Sequence, residues 1–296
     1  MDVSGNVNAA FLMALLMTAL AVLLLGRVFL AWFFSDGRGR AGRRRRGEES
    51  WGTAQTRGSR EIQADMTEIR KTRAGVLAIL ADGIGRENTG RVCAQIALDA
   101  AADAYEPYEV LTNPEYLFRT VCREANARIQ KTIGERRGGA CLGLAFLGNG
   151  HLYYGVVGDI RIALYRGGEL IPLSQGHTLD VLARQAYEAG RISKKEAVWS
   201  MEEKRRWNYL GMDGFREIEI PERPIRLKRD DLVVMVSRGI WQALSGADLE
   251  DLLAGGESPQ EKARQIVWAA GRKPGDDKEN GSAVILRAEE AEDAAD

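Results

Sequence analysis

Two apolar runs, Ala140 to Leu147 and His151 to Val157, are separated by nothing more than Gly148-Asn149-Gly150. Runs of this length between turn residues read as strands rather than helices. Glycine and asparagine accept the positive φ that a tight turn needs, so the two runs are read as an antiparallel hairpin. A second hairpin is read from Ile160 to Tyr165 and Leu170 to Leu173, turning at Gly167-Gly168. Further strand candidates are Gly75 to Ala81, Glu217 to Ile220, Leu232 to Ser237 and Ser282 to Leu286. Helix candidates are Thr89 to Ala104, Pro114 to Ile133, Thr178 to Glu188, Lys194 to Lys204, Ala247 to Leu253 and Pro259 to Ala270. In the second of these, Leu117, Val121, Ala125 and Ile129 repeat at a four-residue spacing and share one face. Consecutive hairpins imply antiparallel sheets, and helix pairs before and after them imply sheets covered by helices on both sides.

The N-terminal part is of another kind. Ala9 to Gly26 carries no charge, and after Arg27 the apolar character resumes through Phe34. A helix rising about 1.5 Å per residue crosses a bilayer core of about 30 Å with such a stretch. Arg27 lies near one end of it, where its side chain can snorkel to the headgroups, and Trp32, Phe33 and Phe34 fit an interfacial belt. A cleaved signal peptide would begin with a basic region, whereas the first ten residues contain Asp2 and neither lysine nor arginine. The arginines follow the apolar segment, which predicts a short outside N-terminus over 1–8, a single-pass membrane helix over 9–34 and a cytoplasmic C-terminal part. Residues 35–57, rich in Gly, Arg, Ser and Glu, read as a juxtamembrane linker, 58–287 as the globular domain and 288–296 as an acidic tail.

Charge and thiols narrow the function classes. Lys plus Arg total 41 against 42 Asp plus Glu, so nothing draws the whole chain to nucleic acid. The three cysteines, Cys93, Cys122 and Cys141, are far apart and without a C-x-x-C, which argues against a disulfide framework or a structural zinc. With two histidines, His151 and His177, multi-histidine metal sites have little material.

Acid-glycine turns recur at the ends of the predicted strands. Asp82-Gly83 follows Gly75 to Ala81, Gly158-Asp159 follows His151 to Val157, and Glu279-Asn280 precedes Ser282 to Leu286. A carboxylate beside a glycine, whose carbonyl is open to close approach, suits a hard cation. Asp-Gly is also an ordinary turn, and Asp159 reads equally well as a turn-capping residue.

Taken in order, these segments resemble the PPM-type, or protein phosphatase 2C-like, family of metal-dependent serine/threonine phosphatases. The resemblance runs from Gly58 to Arg287 through Gly58-Ser59-Arg60-Glu61-Ile62-Gln63-Ala64-Asp65, Ala81-Asp82-Gly83-Ile84-Gly85, Gly139-Ala140-Cys141, Val157-Gly158-Asp159-Ile160-Arg161, Gln175-Gly176-His177-Thr178, Val236-Ser237-Arg238-Gly239-Ile240-Trp241 and Lys278-Glu279-Asn280-Gly281-Ser282. It implies an α+β fold, a four-layer α/β/β/α sandwich with two antiparallel sheets, and a helical flap over about 177–214. It also implies two divalent ions, Mn2+ or Mg2+, that activate a water for in-line attack on the phosphorus of a phosphoserine or phosphothreonine protein. Arg60 would then clamp the phosphoryl group. Asp82 would bridge the ions with the Gly83 carbonyl beside it, Asp65 would act through metal-bound water, and Asp159 would serve a peripheral third ion.

Two positions depart from the family pattern. Glu279 stands for an aspartate and lengthens the arm, and Arg238 stands for an aspartate that ligates directly. A guanidinium keeps its proton and repels a divalent ion, so the ion shared by Asp82 and positions 238 and 279 is placed in doubt while one at Asp65, Asp82 and Gly83 survives. Arg238 is expected to pair with Glu279 and Asp82 in its stead. The functional expectation is a membrane-anchored phosphatase opposing a cytoplasmic kinase. The alternative is a pseudophosphatase, a phosphate-binding or scaffold module disabled at Arg238.

Overall fold

The structure is a computed structural model that describes residues 50–105, 111–201 and 205–289, all within the compact unit Glu49–Asp296. The predicted membrane helix over 9–34, nearly all of the linker and the acidic tail beyond Glu289 lie outside the described residues. Among the described residues, no helix is long and apolar enough to cross a membrane.

Ten strands form two antiparallel sheets. In chain order they are β1 (Trp51–Thr56), β2 (Met66–Thr72), β3 (Gly75–Gly85), β4 (Gly138–Gly148), β5 (His151–Val157), β6 (Arg161–Arg166), β7 (Glu169–Pro172), β8 (Ile225–Arg226), β9 (Leu232–Val236) and β10 (Gly281–Arg287). One sheet has the order β1-β10-β9-β6-β7 and the other β2-β3-β4-β5-β8. The described helices are α1 (Thr89–Tyr105), α2 (Pro114–Ile133), α3 (Leu179–Glu188), α4 (Lys194–Met201), α5 (Arg238–Ala243), α6 (Gly246–Leu253) and α7 (Pro259–Arg272).

Strand alternation sets the layers. Leu77, Ile79 and Ala81 of β3 pack with Ala94 and Leu98 of α1 and with Phe118 and Val121 of α2. Their chain neighbours Ala78 and Leu80 face the other way, against Ile162, Val233, Met235 and Val284 of the second sheet. The far side of that sheet, Val234, Val236, Ala283 and Ile285, packs on Leu249, Leu253, Ala263 and Ile266 of α6 and α7. Three apolar layers thus separate helices, sheet, sheet and helices, the arrangement that a two-residue strand period produces when both faces are covered.

The helices begin and end where local chemistry dictates. The Asn113 side chain accepts from Tyr116 N with Pro114 in the first turn of α2, and the stripe Leu117, Val121, Ala125 and Ile129 is buried as its spacing predicts. Lys262 is only 1 % exposed. Its Nζ reaches the carbonyl end of α6, donating to Leu253 O at 2.7 Å and Ala254 O at 3.1 Å.

Several readings change. Trp51–Thr56, assigned to the linker, is β1 and pairs along its length with β10. Its Gly, Thr and Gln residues gave it no apolar signal. β2 was missed because Glu68, Arg70 and Lys71 interrupt it, and β8 because it has two residues. Glu217 to Ile220 is not a strand; Val156 and Glu219 exchange backbone hydrogen bonds at 2.9 Å and the pairing stops there.

Candidate functional site

The acids and glycines singled out in the sequence gather where the ends of β3, β4 and β5 meet the segments before β2 and β10. Asp82 does not lie in a turn after its strand. β3 continues through Gly85, and Asp82 sits opposite Cys141 of β4. Gly83 beside it is held against the start of α1, since a Cβ there would lie 2.1 Å from Gly90 O and 2.9 Å from Ala64 O. The glycine therefore serves close packing of helix on strand, a role the sequence reading did not assign. Gly158 takes φ +87°, and a Cβ there would lie 2.3 Å from Cys141 Sγ. That conformation turns the chain after β5 and places Asp159 in the interior, wholly buried.

Each acid has its own set of partners. Asp65 Oδ2 accepts from Ser237 Oγ and Ser282 Oγ, both at 2.7 Å, while Asp65 Oδ1 is buried with no hydrogen-bond partner. Asp82 Oδ2 accepts from Arg206 Nη2 at 2.9 Å. Asp159 Oδ1 accepts from Arg206 Nε at 2.8 Å and from Cys141 Sγ at 3.2 Å, and its Oδ2 accepts from Arg238 Nη1 at 3.1 Å. The Asp159 carbonyl accepts from Trp241 Nε1 at 2.9 Å. Glu279 is half-buried and pairs at 3.1 Å with Arg60, which also reaches Asp277 at 3.1 Å. Arg60 is exposed at the rim of the cluster.

One expectation is corrected: Arg238, expected against Glu279 and Asp82, makes an ion pair with Asp159. The guanidinium beside Asp82 comes from Arg206, which no motif or periodicity marks. Both carboxylate oxygens of Asp159 are engaged by arginines.

The electrostatics divide the cluster in two. Burial raises the Asp65 carboxyl to about 6, aided by the charge of Glu279 and opposed by Ser237, Ser282 and Arg206. Burial also raises the Asp82 carboxyl well above its ordinary value, with Arg206 opposing and Asp65, Asp159 and Glu279 adding to the rise. Asp159 suffers burial too, yet Arg206, Cys141 and Arg238 outweigh it and hold its carboxyl below the usual value. Burial and the Asp159 charge raise the Cys141 thiol well above its normal range, so it remains protonated. On the Asp65 and Asp82 side, negative charge is under-compensated; on the Asp159 side it is matched.

The first side has the donor chemistry a hard divalent cation takes: Asp65 Oδ1 is a buried oxygen without a hydrogen-bond partner, and the charges of Asp65, Asp82 and Glu279 oppose one another. Among the described residues, the group of three whose ligand atoms all lie within 4.8 Å of one another is Asp82, Cys141 and Asp159. In that group a protonated thiol is a weak ligand for such ions, and an ion at either group meets Arg206 at Asp82.

No family model matches the chain. A serine/threonine phosphatase, Stp, of Listeria welshimeri is 24 % identical over 208 residues, covering 68 % of this chain and 81 % of that protein. The solved serine/threonine phosphatase of S. agalactiae superposes with a TM-score of 0.70 at 20 % identity, over 81 % of this chain and 99 % of its own. The catalytic domain of the phosphatase PstP, solved with two manganese ions, superposes with a TM-score of 0.63 at 22 % identity, over 80 % and 96 % of the respective chains. These likenesses show the PPM fold and support the family read from the motifs.

Proposed function

We propose that the domain is a metal-dependent phosphoprotein phosphatase acting on phosphoserine or phosphothreonine side chains. One observation carries the reading. Three buried acids from separate segments, Asp65, Asp82 and Asp159, converge at one edge of a PPM-type fold, and one of their oxygens has no partner. Asp65 and Asp82, with Glu279 across from them and the Gly83 carbonyl alongside, would hold Mn2+ or Mg2+. When bound, the ion supplies activation of a water and neutralises charge developing on the phosphoryl oxygens. Ser237 and Ser282 hold Asp65 Oδ2 and leave Oδ1 without a hydrogen-bond partner. Arg60, at the rim and paired with acids on the surface, would exchange Asp277 and Glu279 for the phosphoryl oxygens, a recognition suited to its planar donor fork.

The apolar segment over 9–34 supports a single membrane helix with the N-terminus outside, which would place the domain in the cytoplasm opposite a protein kinase. Arg206 and Arg238 in the acid cluster favour a second reading, a phosphate-binding or scaffold module without turnover.

Phosphate release from a phosphothreonine peptide by the full-length chain, with and without manganese, separates the two. Manganese-dependent release that Asp82→Asn abolishes supports the enzyme. Release seen only after Arg238→Asp supports the second reading and refutes the first.

A further inference from the structure

The side chain that joins Asp82 to Asp159 comes from neither sheet. Arg206 follows α4, and 17 % of its side chain is exposed. The backbone around it is fastened on both sides. Leu179 N donates to Arg205 O at 2.9 Å, and Trp207 N donates to His177 O at 3.1 Å. Asn208 Nδ2 donates to Glu217 O at 2.8 Å, and Leu210 and Ala140 exchange backbone hydrogen bonds at 2.9 Å. A held backbone thus delivers the guanidinium into the acid cluster.

We infer that Arg206 is a built-in counter-cation that competes with a divalent ion for Asp82, so that seating of residues 205–210 and ion loading oppose one another. The inference rests on the metal-dependent reading above. Arg206 cannot lose its proton, so an ion that takes Asp82 is repelled by it until the side chain withdraws. The two carboxylates differ in what they lose by that withdrawal. Asp159 retains Arg238, Cys141 and the Trp241 contact to its carbonyl. Asp82 is released to the ion. Linkage is reciprocal: if the seated arginine weakens ion binding, ion binding must loosen the seated arginine by the same factor.

The test is manganese binding by titration calorimetry on the full-length chain and on its Arg206→Gln, Arg206→Lys and Asp82→Asn variants. Couplings of this kind span about 5- to 150-fold, and Arg206→Gln is expected to bind manganese about tenfold more tightly than the native chain. Arg206→Lys keeps the charge and should stay near the native affinity, and Asp82→Asn should lose the site. Hydrogen exchange of the native chain supplies a second readout that needs no variant. Manganese should speed exchange at the amides of 205–210. Equal or weaker binding by Arg206→Gln, or unchanged exchange at 205–210 in manganese-loaded native chain, overturns the competition alone. No manganese binding by either native chain or Arg206→Gln overturns the metal reading and the competition with it.

Discussion

Lowering the pH from 7 to 4 should remove one identifiable share of stability, and it should vanish in His177→Gln. His177 is 6 % exposed, and its Nδ1 lies 3.0 Å from Gly158 N and 2.9 Å from Asn208 Nδ2. A ring nitrogen facing two donors has to stay unprotonated. Burial lowers the imidazole from 6.5 to about 4, with the Asp159 charge opposing. Because the folded value is the lower one, the unfolded chain takes up a proton first. The contribution is therefore complete above about pH 6.5 and is lost as the pH falls toward 4. At 1.36 kcal/mol per unit, a displacement of that size amounts to about 3 kcal/mol. Asp65 works in the other direction. Its folded value, about 6, lies above 3.8, so its contribution is present at low pH and is lost as the pH rises through 6. The two nearly cancel in the native chain, so the measurement is a difference. Glutamine at 177 keeps an acceptor for Gly158 and cannot titrate. Urea unfolding with chelator present, followed by tryptophan fluorescence, gives the stability of each chain at each pH. The gap between native and variant should shrink by about 3 kcal/mol from pH 7 to 4. Histidine NMR is simple to assign, since His151 is the other histidine in the chain. A His177 titration near 6.5, or a gap that does not change with pH, refutes the argument.

Lys262→Met keeps the apolar stem but leaves Leu253 O and Ala254 O without their donor. A loss of about 1–3 kcal/mol is expected, read as a fall in denaturant midpoint, and an unchanged midpoint would mean that water replaces the ammonium. Gly83→Ala drives a methyl against the Gly90 and Ala64 carbonyls and should cost about 1–3 kcal/mol by the same assay, together with faster amide exchange in the first turn of α1. Ser282→Ala removes one of two hydroxyl donors to Asp65 Oδ2 and should raise the Asp65 carboxyl further. Protons then compete better for the site, and manganese affinity at neutral pH should fall roughly tenfold, the equivalent of one hydrogen bond to a charged group. Unchanged affinity would place the ion away from Asp65.

Where one strong signal dominates, the sequence alone located the element. β5 is bounded by a glycine turn and by Gly158-Asp159, and α2 by Asn113-Pro114 and Gly134; both match the readings residue for residue. β1 and β2 were hidden because they are half-exposed edge strands whose polar and charged residues meet solvent, so no apolar alternation marks them. Asp82, Asp159 and Glu279 stood out beside glycine or asparagine at predicted strand ends, although Asp82 lies within β3; Asp65 was marked only by the resemblance. Arg206 was not marked, because its position depends on isolated backbone pairs, Thr178 with Arg206 and Ala140 of β4 with Leu210. An arginine in an irregular stretch carries no local mark of the carboxylates it will meet. Arg238 was noticed for the charge it reverses, yet its partner was misassigned, since sequence order does not say which of several neighbouring acids a side chain faces.

The pairing of β1 with β10 also sets the distance between the two ends of the described chain and the acid cluster. Trp51 lies opposite Leu286, and Ser50 Oγ contacts Glu289, so the chain enters and leaves the domain at one point. Thr56 and Gly281 close the other end of the ladder, next to Glu279 and the acid cluster. Six residues of strand at about 3.3 Å each put about 20 Å between that point and the site. A disturbance at the Ser50 end of the ladder therefore reaches the acid cluster only through the β1–β10 pairing, so fraying of β1 from its first residue would spare the site until the ladder had opened to Thr56 and Gly281.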